Sequence, residues 1–214
     1  MARKTKIDTE QTRTQIIAAA RKVFAERGVS RTTFAQIASE AGVTRGAIYW
    51  HFKNKPELFF AVMEQVSLPL IDRMGEHLPA VGLGDPLQSI QSSMTQILQL
   101  IESDEVARTT FEIVALKCEY VDEFALLDTQ VIKTGCDFMQ KLTRSYESAQ
   151  KQGLLRDGID PTYCALDSYV FMKGLIQLWL SDRDGTIVRA QALQLIAAHV
   201  GLRRQEIRIG ATRT

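Results

Sequence analysis

Between Thr33 and Lys55 the chain runs TFAQIASEAGVTRGAIYWHFKNK, a stretch that allows little besides two short helices joined by a tight turn. Thr33 is a good N-cap and Gln36 stands three residues on, the spacing of a capping box, after which Phe34, Ile37, Ala38 and Ala41 recur at helical spacing. Gly42 ends that helix, because a residue tolerant of positive φ closes such a turn cheaply. Val43 can tuck between the helices, and Thr44 caps the second one, predicted from Arg45 to about His51. Its outward residues are Arg45, Gly46, Tyr49 and Trp50; Ala47, Ile48 and Phe52 remain to hold it against the first helix. That outer face suits DNA. Arg offers two donors to a guanine edge, Thr and Tyr hydroxyls reach phosphates or bases, and a glycine lets the backbone approach the groove. Asn54 with Glu57 is a second capping signature, so a long helix is predicted to start there, with Lys55 at its positive end and well placed for a phosphate. Thr33 and His51 are read as further phosphate anchors. A helical hairpin in an ordinary bundle has the same spacing, and spacing alone leaves that alternative open.

The run IASEAGVTRGAIYWHFKNKPELF closely resembles the DNA-binding signature of the TetR family of bacterial regulators, and within it the AcrR-like branch of multidrug-efflux repressors. The opening MARKTK, the spacing to Gly28 and the segment LKCEYVDEF from Leu116 to Phe124 resemble that branch as well. The match is strong over roughly the first 70 residues and elsewhere lies mainly in helical layout. The resemblance implies a two-domain repressor, a homodimer built from its last helices, and an operon, here an efflux-pump operon, released by the pump's own substrates. A regulator of another pathway that senses a different apolar metabolite fits the same residues, as does a DNA-binding protein with no ligand.

The net charge of +1 argues by itself against a nucleic-acid partner, but its distribution reverses the inference. Residues 1–55 hold 11 Lys/Arg against 4 Asp/Glu, residues 56–200 hold 11 against 20, and residues 201–214 hold 4 against 1. A basic N-terminal module attracts phosphates and the acidic remainder is repelled by them, so one end of the molecule is expected to face double-stranded DNA. No signal-peptide-like run opens the chain, and none approaches the ~18 apolar residues that mark a bilayer-spanning helix, so a cytoplasmic protein without a membrane partner is expected. Cys118, Cys136 and Cys164 form an odd set without CxxC spacing, which indicates reduced thiols and neither a disulfide framework nor a metal site.

The predicted architecture is all-α, with about nine helices. A DNA-binding domain is expected over 1–55 with its motif at 33–52, a ligand-binding and dimerisation domain over 56–202, and a loose basic tail over 203–214. Residues 1–8 read as a flexible basic arm, and the first helix, from Thr9 or Gln11 to Arg27, braces the motif with Ile16, Ile17, Ala20, Val23 and Phe24. Pro69 predicts a kink or break near Leu68, followed by a Gly/Pro-rich link from Gly75 to Gly84. Further helices are expected from Asp85-Pro86, from Ser103 to about Glu119, from Asp122 to Gln152, from Asp160-Pro161 to about Leu180, and from Gly185 to about Val200. The helix after Asp160 is apolar on two sides and needs two partners, which points to a dimer on a palindromic operator.

Helical faces select a candidate site for a lipophilic ligand: Ile90, Met94 and Ile97; Phe111, Val114 and Ala115; Phe138 and Leu142; then Tyr169, Met172, Ile176 and Gln177. Ordinary core packing explains the same residues. Glu112 would favour a cationic guest if buried among them, and a surface ion pair is its other reading. No catalytic role or cofactor is indicated: His51, His77 and His199 are scattered, HExxH and GxSxG do not occur, and Gly82 with Gly84 lacks the third glycine of a dinucleotide loop.

Overall fold

A computed structural model describes residues 2–77, 84–125 and 127–205. Among them the regular elements are α1 (Ala2–Arg27), α2 (Phe34–Ala41), α3 (Arg45–His51), α4 (Lys55–His77), α5 (Pro86–Ser103), α6 (Glu105–Leu116), α7 (Leu127–Lys151), α8 (Pro161–Ser181) and α9 (Ala192–Gly201), with 3-10 turns at Asp122–Phe124 and Arg189–Gln191. The fold is all-α, as expected. The chain forms two compact units, residues 1–70 with 100–133, and residues 71–99 with 134–214, which do not coincide with a cut after residue 55.

In the first unit α1 lays Ile16, Ile17, Ala20, Val23 and Phe24 against α2 and α3, neither of which is long enough to persist alone. Phe24 meets Phe59 of α4 edge-on at 6.2 Å, and Phe59 meets Phe124 at 6.1 Å. With Phe52 these rings are almost wholly buried, each worth roughly 1.5–3 kcal/mol. Phe124 is what turns the chain early. Where the expected helix would run from Asp122, a 3-10 turn first drops that ring into the core, and α7 begins only at Leu127.

Three further boundaries move for identifiable reasons. With no glycine or proline before Thr9, α1 begins at Ala2, so the expected flexible arm is part of the helix. α6 starts at Glu105 behind Asp104, whose side chain accepts from Ala107 N, and stops at Leu116 rather than Glu119 because the Lys117 carbonyl instead accepts from Val29 N at 3.0 Å. Pro69 does not break α4, which continues to His77 and takes in Gly75. Pro69 and Gln65 are both exposed, so the carbonyl that proline deprives of its donor can turn to water. The rest of the expected link, residues 78–83, lies outside the described residues.

In the second unit Asp85 caps α5 through Leu87 N and Gln88 N, and Asp160 caps α8 through Thr162 N and Tyr163 N. A polar chain crosses its interior. Tyr146 Oη lies 2.7 Å from Ser168 Oγ, which lies 3.1 Å from His199 Nε2, and the imidazole stacks on Phe171 with centroids 3.9 Å apart. Burial drives the His199 pKa down to about 4, so a neutral ring links α8 to α9. The last helix starts later than Gly185 because the Asp182 carboxylate gathers the amides of Ile187, Val188 and Arg189 into a loop. The expected loose tail begins with fixed residues: Arg203 is buried and donates to Asp167 and the His199 carbonyl, Arg204 pairs with Asp85 at 2.7 Å, and Arg156 N and Gln205 N close an antiparallel bridge. Residues 206–214 lie outside the described residues. Tyr163, Leu166, Val170 and Leu178 of α8 and Leu193 and Leu195 of α9 are exposed, leaving both helices an apolar outer face.

Candidate nucleic-acid interface

The two short helices are set by local bonds. Thr33 and Gln36 form the full capping box, with Gln36 N donating to Thr33 Oγ1 at 3.3 Å and Thr33 N donating to Gln36 Oε1 at 2.9 Å. Gly42 takes φ 65° and ψ 27°, the left-handed conformation, and Val43 N reaches back to the Ala38 carbonyl. Thr44 Oγ1 then accepts from Ala47 N at 3.2 Å and starts α3. Ile48 and Phe52 are buried against α1 and α2, which leaves Arg45, Gly46, Tyr49 and Trp50 exposed together.

That face is ordered before anything binds to it. The Arg45 guanidinium donates to Tyr49 Oη at 3.1 Å and sits 5.4 Å from the Tyr49 ring centroid, while the same ring meets buried Phe34 edge-on at 5.1 Å. Both side chains are thus held over the outer surface, with most of the guanidinium donors still open. Trp50 is 72% exposed. A Cβ on Gly46 would meet only Thr44 Oγ1, at 3.8 Å, so nothing inside the fold requires glycine at that point. The Thr44 hydroxyl is exposed beside it; the Thr33 hydroxyl is engaged with Gln36. His51 is half-buried, and its pKa is lowered by burial and then by Arg13, so near neutral pH it offers a single N–H.

Lys55, expected to anchor a phosphate, has its ammonium engaged within the fold. Its ammonium donates to the Ser30 carbonyl at 2.9 Å and the Thr32 carbonyl at 3.1 Å, pairs with Glu123 at 3.2 Å, and lies 5.2 Å from the Phe124 ring centroid. All three donors have partners, and the side chain is 14% exposed. Sequence reasoning also missed Gln15, whose Nε2 donates to the Ala41 carbonyl at 2.7 Å and closes α2 from α1. No local pattern marks such a contact between residues 26 apart.

The expected ligand residues divide between the units. In the second, Ile90, Met94, Ile97, Phe138, Leu142 and Met172 are buried, and Tyr169 and Ile176 are half-buried. The Tyr169 phenol lies against α7 where a Cβ on Gly135 would fall 2.5 Å from its oxygen, and the ring is 6.4 Å from Phe138. Gln177 is exposed, because its helical phase puts it on the outer arc of α8 with Val170 and Gly174. The buried Ser93 hydroxyl, which sequence reasoning did not select, has no hydrogen-bond partner among the described residues. In the first unit Phe111, Glu112, Val114 and Ala115 are half-buried, and Glu112 makes no ion pair among the described residues. Cys118 and Cys136 are half-buried and Cys164 is buried; burial, then Glu119, pushes the Cys118 thiol up to about 11.

The family model described as "Bacterial regulatory proteins, tetR family" matches residues 16–62, and that described as "MAATS-type transcriptional repressor, C-terminal region" matches residues 85–204. The HTH-type transcriptional regulator TtgR of Pseudomonas putida is 36% identical over 180 residues, 84% of this chain and 85% of that protein. Among solved structures, NalD, the secondary repressor of the MexAB-OprM multidrug efflux pump in Pseudomonas aeruginosa, superposes with a TM-score of 0.82 at 30% identity, covering 94% of this chain and 99% of that one. SmeT, the repressor of the Stenotrophomonas maltophilia multidrug efflux pump SmeDEF, in its triclosan complex gives 0.79 at 27% identity, covering 95% and 96%.

Proposed function

Because this chain belongs to the TetR family of bacterial regulatory proteins, we propose that it represses a multidrug efflux-pump operon and leaves its operator when a lipophilic compound binds. Its relatives TtgR, NalD and SmeT support the regulatory class, and the last two support the efflux pump as the controlled system. The observation that carries DNA reading is the outer face of α3, where Arg45 and Tyr49 are prealigned over a surface that Gly46 leaves clear. Inserted in a major groove, Arg45 reads a base edge and Tyr49 assists, while the Thr44 hydroxyl and His51 meet the phosphates. Two copies are needed for a palindromic site with half-sites about 34–36 Å apart, and the exposed apolar faces of α8 and α9 are the surfaces a second copy would cover. The protein acts where the chromosome is, in the cytoplasm. No helix of the described residues is long and apolar enough to cross a membrane, and no catalytic step belongs to this reading.

For the ligand, the buried apolar side chains of Ile90, Met94, Phe138 and Met172, with half-buried Tyr169, favour an aromatic lipophilic guest such as the triclosan of the SmeT complex. Glu112 supplies no buried counter-charge that would demand a cation.

The test selects duplexes from a random-sequence library with the purified protein. Arg45→Ala should weaken the selected palindrome by about 1–3 kcal/mol and relax one base position. Loss of affinity without loss of discrimination would show that α3 does not read bases. Gly174→Leu, at an exposed site where an added Cβ meets nothing within 4 Å, should give folded monomers in sedimentation that bind the palindrome weakly. Triclosan, if it binds the native state, must raise the melting temperature and lower operator affinity.

A further inference from the structure

The contacts of Lys55 point to a task beyond stabilising the first unit. Its ammonium touches Ser30 and Thr32, the residues that lead directly into the Thr33 cap of α2, and Lys55 is itself the first residue of α4, just after the exit of α3 at Phe52. One cation therefore ties the entrance of the reading pair to its exit. Its third partner, Glu123, comes from the 3-10 turn between α6 and α7. The same short segment is laced to the DNA-binding helices at three other points: Val29 N donates to the Lys117 carbonyl, Lys117 Nζ donates to the Ala25 carbonyl, and the Phe124 ring is buried on Phe59.

We propose that Lys55 and Glu123 are positioning residues that couple the α6–α7 connection to the helix-turn-helix, so that displacement of residues 117–124 reorients α2 and α3, and DNA held by α3 in turn steadies residues 117–124. The inference rests on the reading that α3 binds DNA. The physical basis is charge. An ammonium with little exposure is favourable where a carboxylate compensates it, and Glu123 is its ion-pair partner among the described residues. Withdrawing Glu123 leaves that cation with two carbonyl dipoles and weakens its hold on both ends of the reading pair. Coupling of this kind is reciprocal, so it is measurable from the DNA side without knowing the inducer.

Hydrogen exchange of the full-length protein, with and without a duplex that the wild type selects from a random library, reads the coupling. In the wild type the duplex should slow exchange in residues 30–36 and also in residues 117–124, the latter by about fivefold or more. In Glu123→Gln, a conservative change at a half-exposed side chain, residues 30–36 should still respond while residues 117–124 exchange as in the free protein. Lys55→Met should do the same, and the salt dependence of its DNA affinity should keep the wild-type slope, since this ammonium is not on a phosphate. An unresponsive 117–124 segment in the wild type, or equal protection in all three proteins, overturns the proposal. So does a slope reduced by about 0.9 in Lys55→Met, which would place the cation on the DNA. If the wild type selects no duplex, the DNA-reading function itself falls and the coupling goes with it.

Discussion

Around α3 the polar side chains pair with neighbours three or four residues away, whereas the polar contacts that tie α7, α8 and α9 together in the second unit join residues far along the chain. Thr33 with Gln36, Thr44 with Ala47 and Arg45 with Tyr49 are contacts at separations of 3, 3 and 4. Tyr146 with Ser168, Ser168 with His199 and Asp85 with Arg204 span 22, 31 and 119. The first kind can be removed one at a time, because each satisfies its own helix end or its own pair. Tyr146, Ser168 and His199 form a network in which losing one member leaves the next without that partner in a largely buried place. The outer surface of α3 is thus open to residue-by-residue change, and the interior of the second unit is not.

Substitution at Tyr146 should expose the contrast most strongly. Tyr146→Ala removes a fully buried ring and the partner of Ser168, and should cost about 3–5 kcal/mol in chemical denaturation followed by circular dichroism. A loss below about 1 kcal/mol would mean that the network does not organise this unit. Acid should act on the same place. The His199 pKa is about 4 in the folded protein against 6.5 ordinarily, so the unfolded chain binds the proton more readily. The contribution of His199 to stability is therefore complete above pH 6.5 and declines as pH falls from there through about 4. His199→Gln should remove that part of the pH dependence; an unchanged profile would assign it elsewhere.

Smaller effects are expected at the reading helices. Thr44→Ala deletes one cap, should lower stability by about 1 kcal/mol, and should leave the second unit's exchange protection untouched. Coordinated loss of protection in residues 146–200 would contradict the independence of the two kinds of contact. Gly46→Ala should be the mildest change to the fold, stabilising α3 by up to about 1 kcal/mol because the methyl meets only Thr44 Oγ1. Its operator affinity should nonetheless fall, since the new methyl occupies the surface proposed to enter the groove. Unaltered affinity would show that the backbone of α3 does not approach the groove at that residue.

Helix boundaries that depend on their own few residues were legible in the sequence. The Thr33–Gln36 box, the left-handed Gly42, the Thr44 cap and the Asp160-Pro161 start all appear as the spacing predicts, as does the exposed face of α3. Such signals are complete within one turn of helix, so no distant residue is needed to read them. Tertiary structure decided the rest wherever a side chain had more than one plausible partner. Lys55 sits at a helix start that a phosphate would suit, yet Ser30, Thr32 and Glu123 reach its ammonium first. α6 stops early because Val29 claims the Lys117 carbonyl, and Arg203 and Arg204, a loose basic tail by composition, are fixed by Asp167 and Asp85. A charged group can form its bonds with any complementary partner the fold brings within about 3 Å, and only packing determines which one arrives.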